Sequence, residues 1–490
     1  MLPRLPIVAI LILLAGLAAR LPHLGEPALR FHATRQYWSA LIARGLYLDR
    51  MRGLSRAETA AARAAAPAVW IEPPIMEYQA MFGYRLAGRE TLAIPRLIAV
   101  LWWTAGGLAL WWLAAQLFAS AAAPAAAVAV MMFLPFSIRA SQSFQPDPMM
   151  TALMVLTLAL AVRFVRSGSR SILVLCAIAG AAAVLVKPMA VLFLAPALLA
   201  LSVGRYGWWR GTLAAVAFVC VLSAGAAVFY TSYSELGDRG PYPELWRQRA
   251  FWAGWLTMLD RVVPLPWAVA AIAGTIVASS PARALLLGLW GGYLLLGFGF
   301  SHHIYTHDYY SLPAIPIAAL SLAALVDACL RRLPAPSLRW STTGVPAACM
   351  AGICWGVFQA GVFEKAPDLQ ARVQLYERIG AVVDHSTRVA SLDGDYGFPL
   401  SYHGLLSAGN LPLSIDIAMA RLNGVTLPPA DQRLAGTHAD FFVATSQPEL
   451  AAQPDLLDAL DRGYPVVFRD GFRSRWRAVV YDLRRPLPAP

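Results

Sequence analysis

Between Thr91 and Tyr233 the chain carries one acidic residue, Asp147. The rest of that stretch is apolar runs separated by a few arginines and one lysine, Lys187. Where no water reaches the backbone, a segment of this kind folds only as helices that satisfy their own N–H and C=O groups. Crossing a bilayer takes roughly 17–25 apolar residues. About eleven such runs can be read along the chain, near 5–21, 92–117, 121–138, 148–165, 171–187, 189–203, 211–230, 263–280, 284–301, 310–328 and 343–362. Two of the runs are short enough to be re-entrant, 189–203 above all. Charged residues make up 14% of the sequence, against about 25% in soluble domains. The fold class expected is therefore a polytopic α-helical membrane protein with about eleven transmembrane helices.

The few charges sort by side. Arginines gather at alternate ends of the apolar runs: Arg163, Arg166 and Arg170; Arg205 and Arg210; Arg283; Arg331, Arg332 and Arg339. The other ends carry His32, Arg35, Glu72, Asp147, Lys187, His302, His303, His307 and Asp308. Arginine-rich loops stay on the cytoplasmic side, so the second set is expected on the outer face. An odd number of spans puts the C-terminus outside as well. The first run, with Arg4 ahead of it, has the make-up of a signal peptide, and in a polytopic chain it is read as a retained helix. The net charge of +12 belongs to the membrane part, because from Phe363 onward 13 Lys+Arg nearly cancel 15 Asp+Glu. No basic stripe interleaved with aromatics points to nucleic acid. Arginines near lipid suit the membrane lipids' anionic headgroups or a phosphate ligand. The five cysteines all lie in apolar runs, which implies neither a disulfide framework nor a zinc knuckle.

Two regions outside the spans have structure of their own. Residues 22–91 form a long first outer loop with three amphipathic helices expected near Thr34–Leu48, Ser55–Ala66 and Ile75–Leu86, Thr34 being a plausible N-cap. Such helices lie in the interface plane and can roof a cavity. A second outer loop, 231–262, bears Tyr242, Trp246, Trp252 and Trp255, residues typical of an interfacial aromatic belt. After Gly361 the composition changes. Strands are expected at Val382–Leu392, Asp440–Thr445, Tyr464–Phe468 and Trp476–Leu483, with helices at Asp368–Ile379 and Pro454–Asp461. Residues 363–490 thus read as a small periplasmic α/β domain appended to a transmembrane domain of residues 1–362.

Several polar residues on the outer side are candidates for chemistry. Arg35 offers a guanidinium fork for a phosphate and His32 a proton carrier; an arginine snorkelling to headgroups is the plainer reading. Glu72 precedes Pro73-Pro74 and the start of a helix, where a carboxylate is favoured on dipole grounds alone. Asp147, in Gln145-Pro146-Asp147-Pro148, is a candidate base or simply a helix-start residue. Lys187 stands between two apolar runs, and an ionisable residue there is a functional candidate by default. In Ser301-His302-His303-Ile304-Tyr305-Thr306-His307-Asp308-Tyr309-Tyr310, His302 and His303 are weak metal candidates because their spacing matches no standard zinc signature. His307, Tyr309 and Tyr310 are candidates for holding a sugar.

Taken together, the long first loop followed by Glu-Pro-Pro, Gln-Pro-Asp-Pro, Lys-Pro and His-Asp-Tyr-Tyr resembles the GT-C membrane glycosyltransferases. The nearest likeness is to their protein O-mannosyltransferase-like and aminoarabinose-transferase-like branch, over about residues 5–330. The resemblance implies a multi-pass protein of the bacterial inner membrane. It would transfer a sugar from a polyprenyl-phosphate-linked donor to a lipid, glycan or protein acceptor of the cell envelope. Asp147, Glu72 or His32 would then be the base, and Arg35 and Lys187 the ligands of the phosphate. No cofactor is implied as certain, and a divalent metal stays open. That branch usually has an acidic residue shortly before the arginine of the first loop, whereas here the stretch reads His32-Ala33-Thr34-Arg35. Two other classes remain: a lipid-linked-sugar flippase or other transporter, and a non-catalytic envelope scaffold. Transporters often show internal repeats and polar residues at mid-span. This chain has neither.

Overall fold

The computed structural model describes residues 6–232, 241–332, 350–364, 366–422, 424–471 and 478–487. Arg4, Arg339, Cys349, Lys365, Trp476 and the start of the last apolar run lie outside the described residues. Two compact units emerge. The first comprises residues 1–24, 69–75 and 96–364; the second comprises 25–68, 76–95 and 365–490. Most of the first loop therefore packs with the C-terminal residues.

Among the described residues, in the first unit and at its edge, five helices are long and apolar enough to cross a membrane: Ala93–Leu117, Asp147–Ser167, Trp208–Ser232, Ala282–Gly299 and Asp308–Arg332. Two bent pairs raise this to seven if each pair is one span. Ala122–Phe133 and Pro135–Ser141 meet at 63°, and Arg249–Val262 and Leu265–Val277 at 87°. Both breaks sit at proline, which removes a backbone donor and crowds the preceding turn. Four further apolar helices, Ile7–Ala18, Arg170–Val186, Ala190–Tyr206 and Met350–Gln359, are shorter than a full span. The helices fall where the apolar runs were read, but fewer of them have full spanning length than the eleven expected.

Part of the stretch 241–262 is the helix Arg249–Val262, and two of its tryptophans hydrogen-bond to neighbouring segments. Trp255 is buried and donates its indole N–H to Tyr293 Oη at 3.0 Å, while Trp246 donates to Ser301 Oγ at 2.8 Å. A buried indole N–H needs an acceptor, and these two have one.

The helix Ala190–Tyr206 packs directly on Ala282–Gly299. A Cβ added at Gly288 would stand 2.7 Å from the Pro196 carbonyl oxygen, and one at Gly292 would stand 2.6 Å from that of Leu192. Two glycines four residues apart thus let the backbones touch, the small-residue packing that joins helices in lipid. The first of these helices follows Lys187 and the second leads into Ser301–Tyr310, so this contact fixes the distance between them.

The second unit holds a five-stranded mixed sheet ordered β2-β1-β3-β5-β4. Its strands are β1 (Val389–Leu392), β2 (Ala408–Asn410), β3 (Phe441–Ala444), β4 (Val466–Asp470) and β5 (Ala478–Asp482). β1 pairs in parallel with β2 and β3, and β5 runs antiparallel to β3 and β4. β1, β3 and β5 are buried along their whole length, as expected of strands covered on both faces. Val382 does not open a strand; it ends the helix Pro367–Val382, whose Leu375, Tyr376 and Ile379 pack with Val443 and Val480. β2 was not expected. Ala-Gly-Asn has little strand propensity, and its pairing with β1 holds it in place.

The first-loop helices of this unit are Ala33–Tyr47, Arg56–Ala65 and, shared at its first residue with the other unit, Ile75–Ala87. Ser55 and Glu58 cap the second in a reciprocal capping box. The first is capped differently from expectation. His32, at φ 42°, is its N-cap residue, and the Thr34 hydroxyl instead donates to Asp395 at 3.4 Å. Arg44 stitches the unit together, donating from Nε to both Glu90 carboxylate oxygens at 3.0 Å and from Nη1 to the Tyr402 carbonyl at 2.6 Å. Tyr37 Oη and His403 Nε2 are 2.7 Å apart. Burial, with the Arg44 and Arg372 guanidinium groups nearby, lowers the His403 pKa to about 3. A neutral ring accepting the Tyr37 hydroxyl proton is the state that fits.

Candidate active site

Asp147 is the first residue of the helix Asp147–Ser167, with Pro148 next to it. Proline is well placed in a first turn, where its missing N–H has no partner to lose. The approach to Asp147 is held by two buried arginines that the sequence reading did not single out. Arg20 donates to Ser141 Oγ, Ser137 Oγ and the Met132 carbonyl, and Arg96 donates to the carbonyls of Gln142 and Leu24. The signal was available, since both stand beside apolar runs at ends other than those where Arg163, Arg166, Arg170, Arg205, Arg210 and Arg283 gather.

Lys187 closes the helix Arg170–Val186 in extended conformation, φ −157° and ψ 118°. The following Pro188 excludes the helical region for it, and the next helix starts at Ala190. A break between two apolar helices therefore presents an ammonium group. Lys187 Nζ donates to Asp147 Oδ1 at 2.8 Å, with the two side chains only 6% and 1% exposed. The second carboxylate oxygen, Asp147 Oδ2, is buried with no hydrogen-bond partner among the described residues, and so is the Gln145 Nε2 amide. A buried polar atom left unsatisfied is costly and calls for an explanation such as a missing ligand or water.

The tyrosines complete the group. Tyr309 and Tyr310, on the short 3-10 turn Asp308–Ser311, are buried. Lys187 Nζ lies 4.9 Å from the centroid of the Tyr310 ring and 5.3 Å from that of Tyr309, within cation–π range. The His303 ring is 4.9 Å from Tyr310, and the His307 ring is 5.6 Å from Tyr309 and 5.7 Å from His303. The first unit thus gathers Asp147, Lys187, His303, His307, Tyr309 and Tyr310.

His302 turns to Tyr305, with ring centroids 5.8 Å apart. Its Nδ1 is buried and unbonded among the described residues, and burial lowers its pKa. Glu72 is half-buried in the same unit, in the irregular stretch before Ile75. His32 and Arg35 belong to the second unit, at the start of the helix Ala33–Tyr47. Among the described residues no three His, Cys, Asp or Glu side chains converge as a metal site.

Residues 71–230 match the family described as dolichyl-phosphate-mannose-protein mannosyltransferase. No curated protein matches the chain. Among solved structures, ArnT from Cupriavidus metallidurans, crystallised bound to undecaprenyl phosphate, is similar over 97% of both chains with 16% identity and a TM-score of 0.57. Its apo form gives a TM-score of 0.60. The Archaeoglobus fulgidus oligosaccharyltransferase, crystallised with zinc and sulfate, is similar over 96% of this chain and 72% of its own, with 12% identity and a TM-score of 0.54.

The fold is that of the GT-C membrane glycosyltransferases, in agreement with the resemblance carried by the motifs. Within that class the family matched over residues 71–230 and the structures similar along most of the chain, ArnT and the archaeal oligosaccharyltransferase among them, are glycosyltransferases.

Proposed function

We propose that the chain is a glycosyltransferase of the bacterial inner membrane. It moves a sugar from a polyprenyl-phosphate-linked donor to a lipid, glycan or protein acceptor on the periplasmic side. The observation that carries this reading is the buried Lys187–Asp147 pair set against Tyr309 and Tyr310. Of the three ammonium N–H groups of Lys187 one is committed to Asp147, which leaves two for the oxygens of a lipid phosphate. Asp147 Oδ2 has acceptor capacity to spare for an incoming hydroxyl. The tyrosine rings supply amphipathic faces on which a sugar can rest.

In the reaction the acceptor oxygen bonds to the anomeric carbon while the carbon–oxygen bond to phosphate breaks. The electron pair of that bond leaves with the polyprenyl phosphate, and the acceptor proton passes to a carboxylate. Lys187 stabilises the charge that gathers on the departing phosphate. Asp147 positions Lys187 and receives the acceptor hydroxyl. Glu72 and His32 are the other proposed bases, and Arg35 a further phosphate ligand. His307 shapes the sugar pocket. His302 and His303 stand as proposed metal ligands, tested by measuring transfer with and without a chelator. Residues 363–490 are proposed as periplasmic.

The test is turnover of a polyprenyl-phosphate sugar by the purified chain in detergent, read as release of polyprenyl phosphate together with a glycosylated acceptor. Movement of the lipid-linked sugar across proteoliposomes without its consumption would replace this reading by a flippase.

A further inference from the structure

We propose that the first-loop part of the second unit holds a binding site for the phosphate of an anionic lipid headgroup, built from Arg50, Arg52, Arg85 and Arg89. These four arginines line one cavity of about 670 Å³ together with Tyr47 and Glu90. Glu90 does not neutralise them, because both its carboxylate oxygens already accept from Arg44. Among the described residues none of the four has a carboxylate within 4 Å. A guanidinium at a helix C-terminus is favoured by the dipole, which accounts for Arg50 or Arg85 taken singly. Four around one cavity repel each other unless an anion joins them, and planar guanidinium forks suit phosphate oxygens.

The neighbouring surface says which anion. On the helix Ile75–Ala87, Tyr78, Phe82 and Leu86 are 48%, 59% and 75% exposed, and their spacing of four residues makes one stripe along the helix. Arg85 directly precedes Leu86, the last residue of that stripe, and Arg89 follows it three residues on. Four residues beyond Arg89 begins the candidate span Ala93–Leu117, so the site lies within about 14 Å of chain from a membrane-crossing helix. An apolar stripe beside arginines at a membrane boundary is the pattern of a helix lying in the headgroup layer. A free phosphate would have no use for the stripe. The site is independent of the transfer chemistry proposed above, and the measurement below does not involve turnover.

The test uses the full chain in nanodiscs of phosphatidylcholine with a minor share of phosphatidylglycerol, followed by native mass spectrometry of the lipid retained. The wild-type chain is expected to retain phosphatidylglycerol preferentially. The variant R50Q/R52Q/R85Q/R89Q should lose that preference by roughly fivefold for each arginine removed. Phe82→Ser with Leu86→Ser should lower it too, with the arginines intact. Inorganic phosphate should displace the lipid no better than chloride at equal ionic strength. Thermal melting checks that each variant is folded, and R85Q/R89Q serves if the fourfold variant is not. Unchanged retention in a folded arginine variant overturns the proposal. So does efficient displacement by inorganic phosphate, or indifference to the apolar variant, since either makes the cavity a site for a free anion.

Discussion

Lys187 and Asp147, forty residues apart in the chain, meet at 2.8 Å in a setting where neither side chain is more than 6% exposed. Such a pair adds little net stability over an apolar pair of equal size, yet breaking it is costly because one charge stays buried alone. Asp147→Asn or Lys187→Met alone should destabilise the chain by about 3–5 kcal/mol, read as a lower melting temperature in detergent. Combining them should restore most of the stability and none of the transfer. A double variant that turns over donor at the wild-type rate would remove the pair from the chemistry.

Tyr310 offers a sharper probe of the same group, since its ring, not its hydroxyl, faces the ammonium at 4.9 Å. Tyr310→Phe should keep donor affinity within about twofold, and Tyr310→Leu should lose about 0.5–2 kcal/mol of it. Titration with undecaprenyl phosphate measures both. Equal losses in the two variants would assign the effect to the hydroxyl.

Gly288 and Gly292 hold the helix that follows Lys187 against the one that leads to the tyrosines. Gly292→Leu should force the backbones apart, costing about 1–3 kcal/mol or more, and should lower turnover without touching any polar group of the site. If turnover survives while melting falls, the helix contact supports the fold only.

These relationships differ in how far the sequence discloses them. Asp147 and Lys187 stand out because a charge in an apolar stretch is costly and therefore conspicuous. That they pair with each other is a tertiary fact with no local signature. His303, His307, Tyr309 and Tyr310 were visible as one segment, whereas their distance from Lys187 depends on a glycine contact between other helices. Thr34 fitted the rules for a helix cap, but Asp395, 361 residues away, takes its hydroxyl. β2 was illegible because its three residues are strand only by virtue of β1. The apolar helices were read nearly in place, since an apolar run is a one-dimensional property, but how many of them cross a membrane was not.

His403 gives the second unit a dependence on pH whose sign is fixed. Its folded pKa is lowered to about 3 from 6.5, so between those values the unfolded chain binds the proton and the folded chain does not. Stability of this contribution is fully present above about pH 6.5 and declines as the pH falls toward 3. One proton per molecule corresponds to at most about 1.4 kcal/mol per pH unit within that window. Glu58, held below its usual pKa chiefly by the Ser55 backbone N–H, adds to the loss only at lower pH. Asp395, raised by burial, acts in the opposite sense. His403→Gln keeps an acceptor for the Tyr37 hydroxyl and cannot titrate. Melting temperatures of the full chain from pH 7 to pH 5 should therefore fall for the wild type and fall less for the variant, in which His302, also lowered by burial, still contributes. Parallel curves would show that His403 is not the group that senses acid.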